Sequence, residues 1–250
     1  MRKNLFFTLF CFVSTIICAQ RGRDGNLTVS NTVIVNEYTY LTADAAAGST
    51  TITVANSTLN SHSRFSGNLA TGDLIMIIQM QGATLNGKIS PNSDFVGLPK
   101  DSSWGAIVSY NNCGNYEFAE VTSVPSATTI KLDCPLQYSY TSAGKVQIVR
   151  MPRYNTLTIN NGGTITCDQW DSITGGIVAM EVENNTVINS GGAINVDSIG
   201  LLLVLRFIFG GVPTVTVTEA EAVPQLVLTE TVKSSSDGWS CYWVRYVRII

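Results

Sequence analysis

One internal repeat restricts the folds open to this chain more than any other feature. Thr158-Ile159-Asn160-Asn161-Gly162-Gly163-Thr164-Ile165-Thr166-Cys167-Asp168 returns as Val187-Ile188-Asn189-Ser190-Gly191-Gly192-Ala193-Ile194-Asn195-Val196-Asp197. The spacing is about 29 positions, inside the range that marks repeat architectures. Each copy is an alternating strand, an Asn/Gly corner that tolerates positive φ, and a second alternating strand. A third strand-like run, Gly176-Ile177-Val178-Ala179-Met180-Glu181-Val182, lies between them. Stacked copies would make successive coils of a parallel β-solenoid, with an inward-facing apolar row. The same residues also fit two ordinary hairpins, because Asn161-Gly162 between apolar alternations is a hairpin signal.

Composition narrows the class. The chain has 250 residues, 45% hydrophobic and 13% charged, enough apolar surface for a core and too much for disorder. Its formal charge of −3 and the lack of Lys/Arg clusters exclude a nucleic-acid partner, which needs a basic face. Abundant Gly, Asn, Thr and Ser with sparse Lys and Glu is the balance of an extracellular β protein. Arg2 and Lys3, an apolar stretch from Leu5 to Ile17, and the exit Cys18-Ala19-Gln20 read as a secretory signal peptide over residues 1–19. Its apolar stretch falls short of the roughly twenty residues of a spanning helix. The expected location is therefore secreted or on the outer cell surface, with no membrane-spanning segment after signal removal, and export argues against a phage-tail component.

From residue 27 to 153 the pattern is short β-branched runs separated by turn residues. Leu74-Ile75-Met76-Ile77-Ile78-Gln79-Met80 is the most apolar of them and is expected to be a central strand buried on both faces. Residues 81–104, with Pro91 and Pro99, read as a long loop. The fold class that follows is all-β: a small barrel or sandwich domain over 27–153, then the start of a parallel β-solenoid over 154–200. At Leu201 the composition changes abruptly, because no Asn occurs from there to Ile250 and Leu201-Leu202-Leu203-Val204-Leu205 replaces the Gly/Asn/Thr grammar. Residues 201–250 are thus expected to be an atypical tail, either foreign to the fold through out-of-frame translation or a cap on the solenoid end.

The runs Thr50 to Val54, Gly72-Asp73-Leu74-Ile75, Glu117 to Val121, Thr129 to Leu132, the Tyr138/Tyr140 pair and Val146 to Val149 carry a resemblance. So do Leu157-Thr158-Ile159 and Gly175 to Val182. Over residues 27–200 they resemble the N-terminal region of large secreted, adhesin-like surface proteins of gliding-type Bacteroidota, glycine-rich β-solenoid exoproteins. That resemblance implies a surface adhesion or structural role within a longer parent protein, with surface glycans or other cell-surface proteins as partners.

For chemistry, the carboxylates Glu181, Glu183 and Asp168 are the candidates. β-Helix lyases and hydrolases place acids on an exposed strand face for acid/base work or calcium. Glu181 and Glu183 are two apart, hence on one strand face, and the bland reading makes them a solvated outer edge. Trp104, Tyr110 and Trp170, together with Tyr116, Tyr138 and Tyr140, could stack on sugar rings or simply pack. His62, the single histidine, lacks partners for a triad or a metal site and reads as a solvated loop residue. No cofactor is indicated, calcium being the one ion with a rationale. Cys113 and Cys134 lie on candidate neighbouring strands; a disulfide between them would close a loop worth roughly 3 kcal/mol. With Cys167 and Cys241, three pairings are open. The expected function is a non-catalytic surface module, the alternative a β-helix carbohydrate-active enzyme.

Overall fold

The structure, a computed structural model, describes residues 21–87 and 105–196 and the backbone of two later strands. The expected signal segment 1–19, Trp104, Asp197 and Cys241 lie outside the described residues. Among the described residues every regular element is a strand apart from a 3-10 turn at Ser142–Gly144, so the chain is all-β.

Strands β1 (Asn26–Val29) and β2 (Thr32–Ile34) begin a solenoid coil. The chain then leaves to build a barrel from β3 (Glu37–Tyr40), β4 (Thr51–Thr53) and β5 (Leu74–Gln79). A small two-stranded arm follows, β6 (Thr84–Leu85) with β7 (Ile107–Ser109). The barrel is completed by β8 (Tyr116–Ser126), β9 (Thr129–Leu132) and β10 (Val146–Met151). The solenoid resumes with β11 (Arg153–Tyr154), β12 (Thr156–Ile159), β13 (Thr164–Thr166) and β14 (Ile177–Val182). It continues with β15 (Thr186–Ile188), β16 (Ala193–Ile194), β17 (Leu202–Phe207) and β18 (Val215–Val217).

Three parallel sheets form the solenoid walls: β1-β12-β15-β18, β2-β13-β16 and β11-β14-β17. Thr158 pairs with Val187 and Thr164 with Ala193, so the repeat seen in the sequence is one full coil and the hairpin reading falls. The corners show why the repeat keeps Asn and Gly. The Asn189 amide donates to the Asn160 side-chain oxygen at 3.1 Å across a separation of 29, and Asn160 donates to Ser30 in the coil before it. A second ladder runs Asn184 to Asn155 to Asn26. Gly162 and Gly191 both sit at φ +78°, and the glycine after each is packed under the preceding coil. A Cβ on Gly163 would lie 2.4 Å from the Val29 carbonyl oxygen, and one on Gly192 would lie 2.8 Å from that of Ile159.

Two boundaries differ from the sequence expectation. The barrel does not precede the solenoid; it is inserted into the first coil, because Leu27 pairs with Leu157 and Val33 with Ile165. Alternation reveals which face of a strand is buried but not that its partner lies so far along the chain. Nor does the composition break at residue 200 end the coils. Val178 pairs with Leu203 and Ile188 with Val217, both in parallel register, so the backbone follows the solenoid through Val217. Leu- and Val-rich runs make strands as readily as the Thr/Asn runs upstream.

The barrel sheet runs β3-β10-β5-β8-β9-β4, antiparallel throughout. It curls until Leu41 bridges Val54, joining its two edges. Ile52, Ile75, Ile77, Val121, Ile130, Val146 and Ile148 fill the interior. The alternate residues Leu74, Met76 and Ile78 face outward, where with Val149 they pack on Ile177 and Ala179 of β14. This is why β5 is apolar on both faces, as expected. On the other side of β14, Val178, Met180 and Val182 join Leu157, Ile159, Ile165 and Cys167 in the solenoid core.

Strand β11 is only two residues long and pairs with β14 at Glu181 and Val182 alone. The remaining backbone of that edge is completed by barrel side chains. Gln147 accepts from the Gly175 N–H at 2.8 Å and donates to the Gly175 carbonyl at 3.1 Å. Tyr38 donates to the Ile177 carbonyl, and Asn36 both accepts from the Ala179 N–H and donates to its carbonyl. Gly175, Ile177, Ala179 and Glu181 are alternate residues, so their backbone groups point to one edge. The barrel thus supplies, from side chains, the ladder that a missing strand would have made. Asn36→Leu should cost about 2–3 kcal/mol, since it strands two buried backbone groups. Amide exchange checks it: the Ala179 N–H should lose protection more than that of Ile165.

Candidate functional site

Charged side chains gather where barrel meets solenoid. Arg153 donates from Nε to Glu181 Oε1 at 2.9 Å and from a terminal nitrogen to Glu120 Oε1 at 2.8 Å. Its side chain is 3% exposed and that of Glu181 is 0% exposed. Burial works against the Arg153 charge, but Glu181 and Glu120 outweigh it and hold its pKa above the ordinary value. Burial pushes the Glu120 carboxyl up, with Arg153 opposing. Arg64 reaches from a barrel loop to grip Asp168 with both terminal nitrogens, at 2.6 and 2.8 Å. A third cluster joins Arg150, Asp73 and Arg23, each contact at 2.8 Å, and Arg150 also lies over the Phe65 ring.

Two of the acids picked out from the sequence are therefore structural: Asp168 ties the solenoid to the barrel, and Glu181 is paired within the solenoid wall to an arginine that itself reaches Glu120 of the barrel. Glu181 faces Arg153, and Asp168 faces Arg64. Glu183 stands past the end of β14, half-buried, its N–H donating to the Tyr154 carbonyl and its carboxylate close to Gly22. They do not converge on a shared solvent-facing point, and among the described residues no three His, Cys, Asp or Glu side chains gather as a cation site. Nothing in the repeat points to the arginine partners, which lie outside residues 154–200. His62 is 60% exposed, as expected of a loop residue, yet its Nδ1 lies 3.2 Å from the buried Glu37 carboxylate.

The expected Cys113–Cys134 bridge is not formed. Cys113 is a free thiol in a turn, its Sγ directed at the Met80 carbonyl at 3.4 Å. Cys167 is free and buried in the solenoid core, and burial, then Asp168, pushes its pKa up. Maleimide added to the native chain should label Cys113 and spare Cys167 until urea unfolds the solenoid, a difference read by peptide mapping.

Other predicted residues stand at one end of the barrel: Tyr116, Tyr138 and Tyr140 adjoin one another, and Tyr110 precedes Asn111 on a loop held by Gln79. Buried Gln79 staples three loops: its amide donates to the Gln81 and Asn111 carbonyls, each at 2.9 Å, and its oxygen accepts from the Thr141 N–H at 2.8 Å. Asn111 and Asn112 take left-handed conformations, and the Asn111 amide donates to Gly82 and Thr84. Buried Glu117 accepts from the Gln137 and Tyr138 N–H groups at 3.0 and 3.3 Å. Asp44 accepts from both the N–H and the hydroxyl of Ser142. On this frame Tyr110 is 64% exposed and Tyr138 is 42% exposed. Tyr116, beside Tyr138, has its pKa pushed up to about 12, by burial first and by Tyr138 second. Tyr140 is buried next to Glu117, and Trp170 is half-buried in the solenoid corner between β13 and β14.

No protein-family model matches the chain, and no curated protein matches it by sequence. Among solved structures it is similar to three phage tailspikes. That of Acinetobacter baumannii bacteriophage AP22, in complex with A. baumannii capsular saccharide, is 16% identical with a TM-score of 0.31 over 75% of this chain. The tailspike of Pseudomonas phage phi297 is 12% identical with a TM-score of 0.29 over 74%, and that of Pseudomonas phage LKA1 is 17% identical with a TM-score of 0.27 over 69%. The chain spans 29%, 32% and 28% of their respective lengths.

Proposed function

We propose that this chain is a secreted or surface-displayed, non-catalytic adhesion or structural module, a piece of a larger surface protein, and that its partner is a surface glycan. The observation that carries this reading is the occupation of Glu181 and Asp168 by Arg153 and Arg64. Glycoside cleavage needs one carboxyl free to protonate the leaving oxygen and a second set across the scissile bond. A carboxylate engaged by a guanidinium is not free to meet a glycosidic oxygen, and Glu181 has no exposed surface on which a sugar could rest. The resemblance to N-terminal regions of Bacteroidota exoproteins agrees with export and with a longer parent chain. The test pairs two assays on the purified chain from Gln20 to Ile250. A broad printed glycan array should show retention of at least one glycan class, and the same glycans should release no reducing ends or unsaturated products. Product release would replace the adhesion reading with the β-helix enzyme, and an array with no retained glycan would leave the chain a scaffold.

A further inference from the structure

We infer that the glycan is held at the barrel mouth, on the faces of Tyr110 and Tyr138, and that it is a pyranose chain whose hydroxyls are mainly equatorial. The inference rests on the glycan reading above and gives it a place and a chemistry. Two large aromatic side chains stand 64% and 42% exposed, although either could have been buried in a chain with this much core. Their loops are not loosely attached. Gln79, 1% exposed, spends its whole amide on the three loops that frame the mouth, and Glu117, 8% exposed, spends its carboxylate on the backbone beneath Tyr138. Buried polar groups are costly unless satisfied, and two of them serve here to fix the frame that carries exposed aromatics. Rigid tyrosines on a preorganised frame lose little entropy on binding.

The chemistry of the rim selects the ligand class. A pyranose with equatorial hydroxyls offers a flat C–H face, which suits the electron-rich face of a tyrosine, and a ring of hydroxyls at its edge. The rim answers those hydroxyls with Asn112, Gln137, Ser142 and the Asp44 carboxylate, which lie on the stapled loops or bond to them. The Ser142 N–H first, and its hydroxyl second, hold Asp44 below the usual carboxylate range, so it is an acceptor at neutral pH. Stacking supplies contact area; amides and carboxylate supply orientation.

Titration calorimetry of the full mature chain with cellohexaose, chitohexaose and maltohexaose tests the assignment. At least one should bind, Tyr138→Ala and Tyr110→Ala should each weaken that binding at least fivefold, and Tyr138→Phe should keep it within twofold because the ring face is retained. Thr158→Ala, on the outer face of β12, should leave it unchanged. Circular dichroism and the melting temperature verify that each variant folds. If the wild type binds a hexasaccharide and both alanine variants bind it equally well, the mouth is not the site, while the glycan reading stands. If the wild type binds none of the three, the inference is overturned; the broader array then decides separately whether any glycan is a partner.

Discussion

Arg153→Met should lower stability by about 3–5 kcal/mol, the range for removing one partner of a buried ion pair. Glu181 is left with a buried carboxylate and no guanidinium, and Glu120 loses its contact as well. With a urea m-value of about 1–3 kcal/mol/M, the unfolding midpoint should fall by about 1–2 M or more. The double variant Arg153→Met with Glu181→Met should recover most of that loss, because two apolar side chains then pack in the space of the pair. Glu120, 24% exposed, can turn toward water in the double variant. If the single variant unfolds at the wild-type midpoint, Arg153 does not neutralise Glu181 in solution, and the case against Glu181 as an acid/base group loses its footing.

Gly163→Ala should be nearly as damaging, at about 3 kcal/mol, although it adds a single methyl group to a residue in no strand. The new Cβ would sit 2.4 Å from the Val29 carbonyl oxygen and 2.8 Å from its carbon, so the first coil must lift away from the second. Overpacking of this kind typically costs about 1–3 kcal/mol, more when the obstacle is backbone and cannot rotate aside. Lifting also stretches the 2.8 Å hydrogen bond from the Asn160 N–H to the Val29 carbonyl. Gly67→Ala is the comparison, since nothing lies within 4 Å of a Cβ there; it should melt within a degree or two of wild type. Equal melting temperatures for the two variants would mean that the coils are not stacked this closely.

How much of this was legible in the sequence follows from how local each signal is. The Asn160-Asn161-Gly162-Gly163 corner is written in consecutive residues, so its recurrence exposed both the coil and its period. The run Leu74 to Met80 was legible as a central strand because a run apolar on both faces admits few environments, and the strand itself ends at Gln79. The entry of the chain into its first coil was not legible. Asn26 to Val29 carries the same alternation as any barrel strand, and only Leu157, far along the sequence, distinguishes it. The acids were misleading for the same reason: Glu181 looked like a solvated outer position because its neutralising partner, Arg153, sits one coil earlier on β11, just outside the repeat. Arg150 and Arg153, charges at the end of an apolar strand, are the one local sign of such pairing, since a buried cation implies an anion close by. The tyrosines were named, but the frame that presents Tyr110 and Tyr138 depends on Gln79 and Glu117, whose roles appear only when their strands are side by side.

The insertion of the barrel into the first coil also sets an order of events in time. Strand β1 leaves a ribosome or an export channel early, yet its partner β12 follows only after the whole barrel sequence has emerged. The barrel, with its hairpin-connected β8 and β9, can form from nearer contacts, and loop closure then becomes inexpensive because the folded insert brings its two ends together. The N-terminal strands must therefore wait with bare edges while the insert folds. Refolding should show a barrel phase followed by a slower zipping of the coils, and the slow phase is the window in which the waiting strands are open to mispairing with another chain.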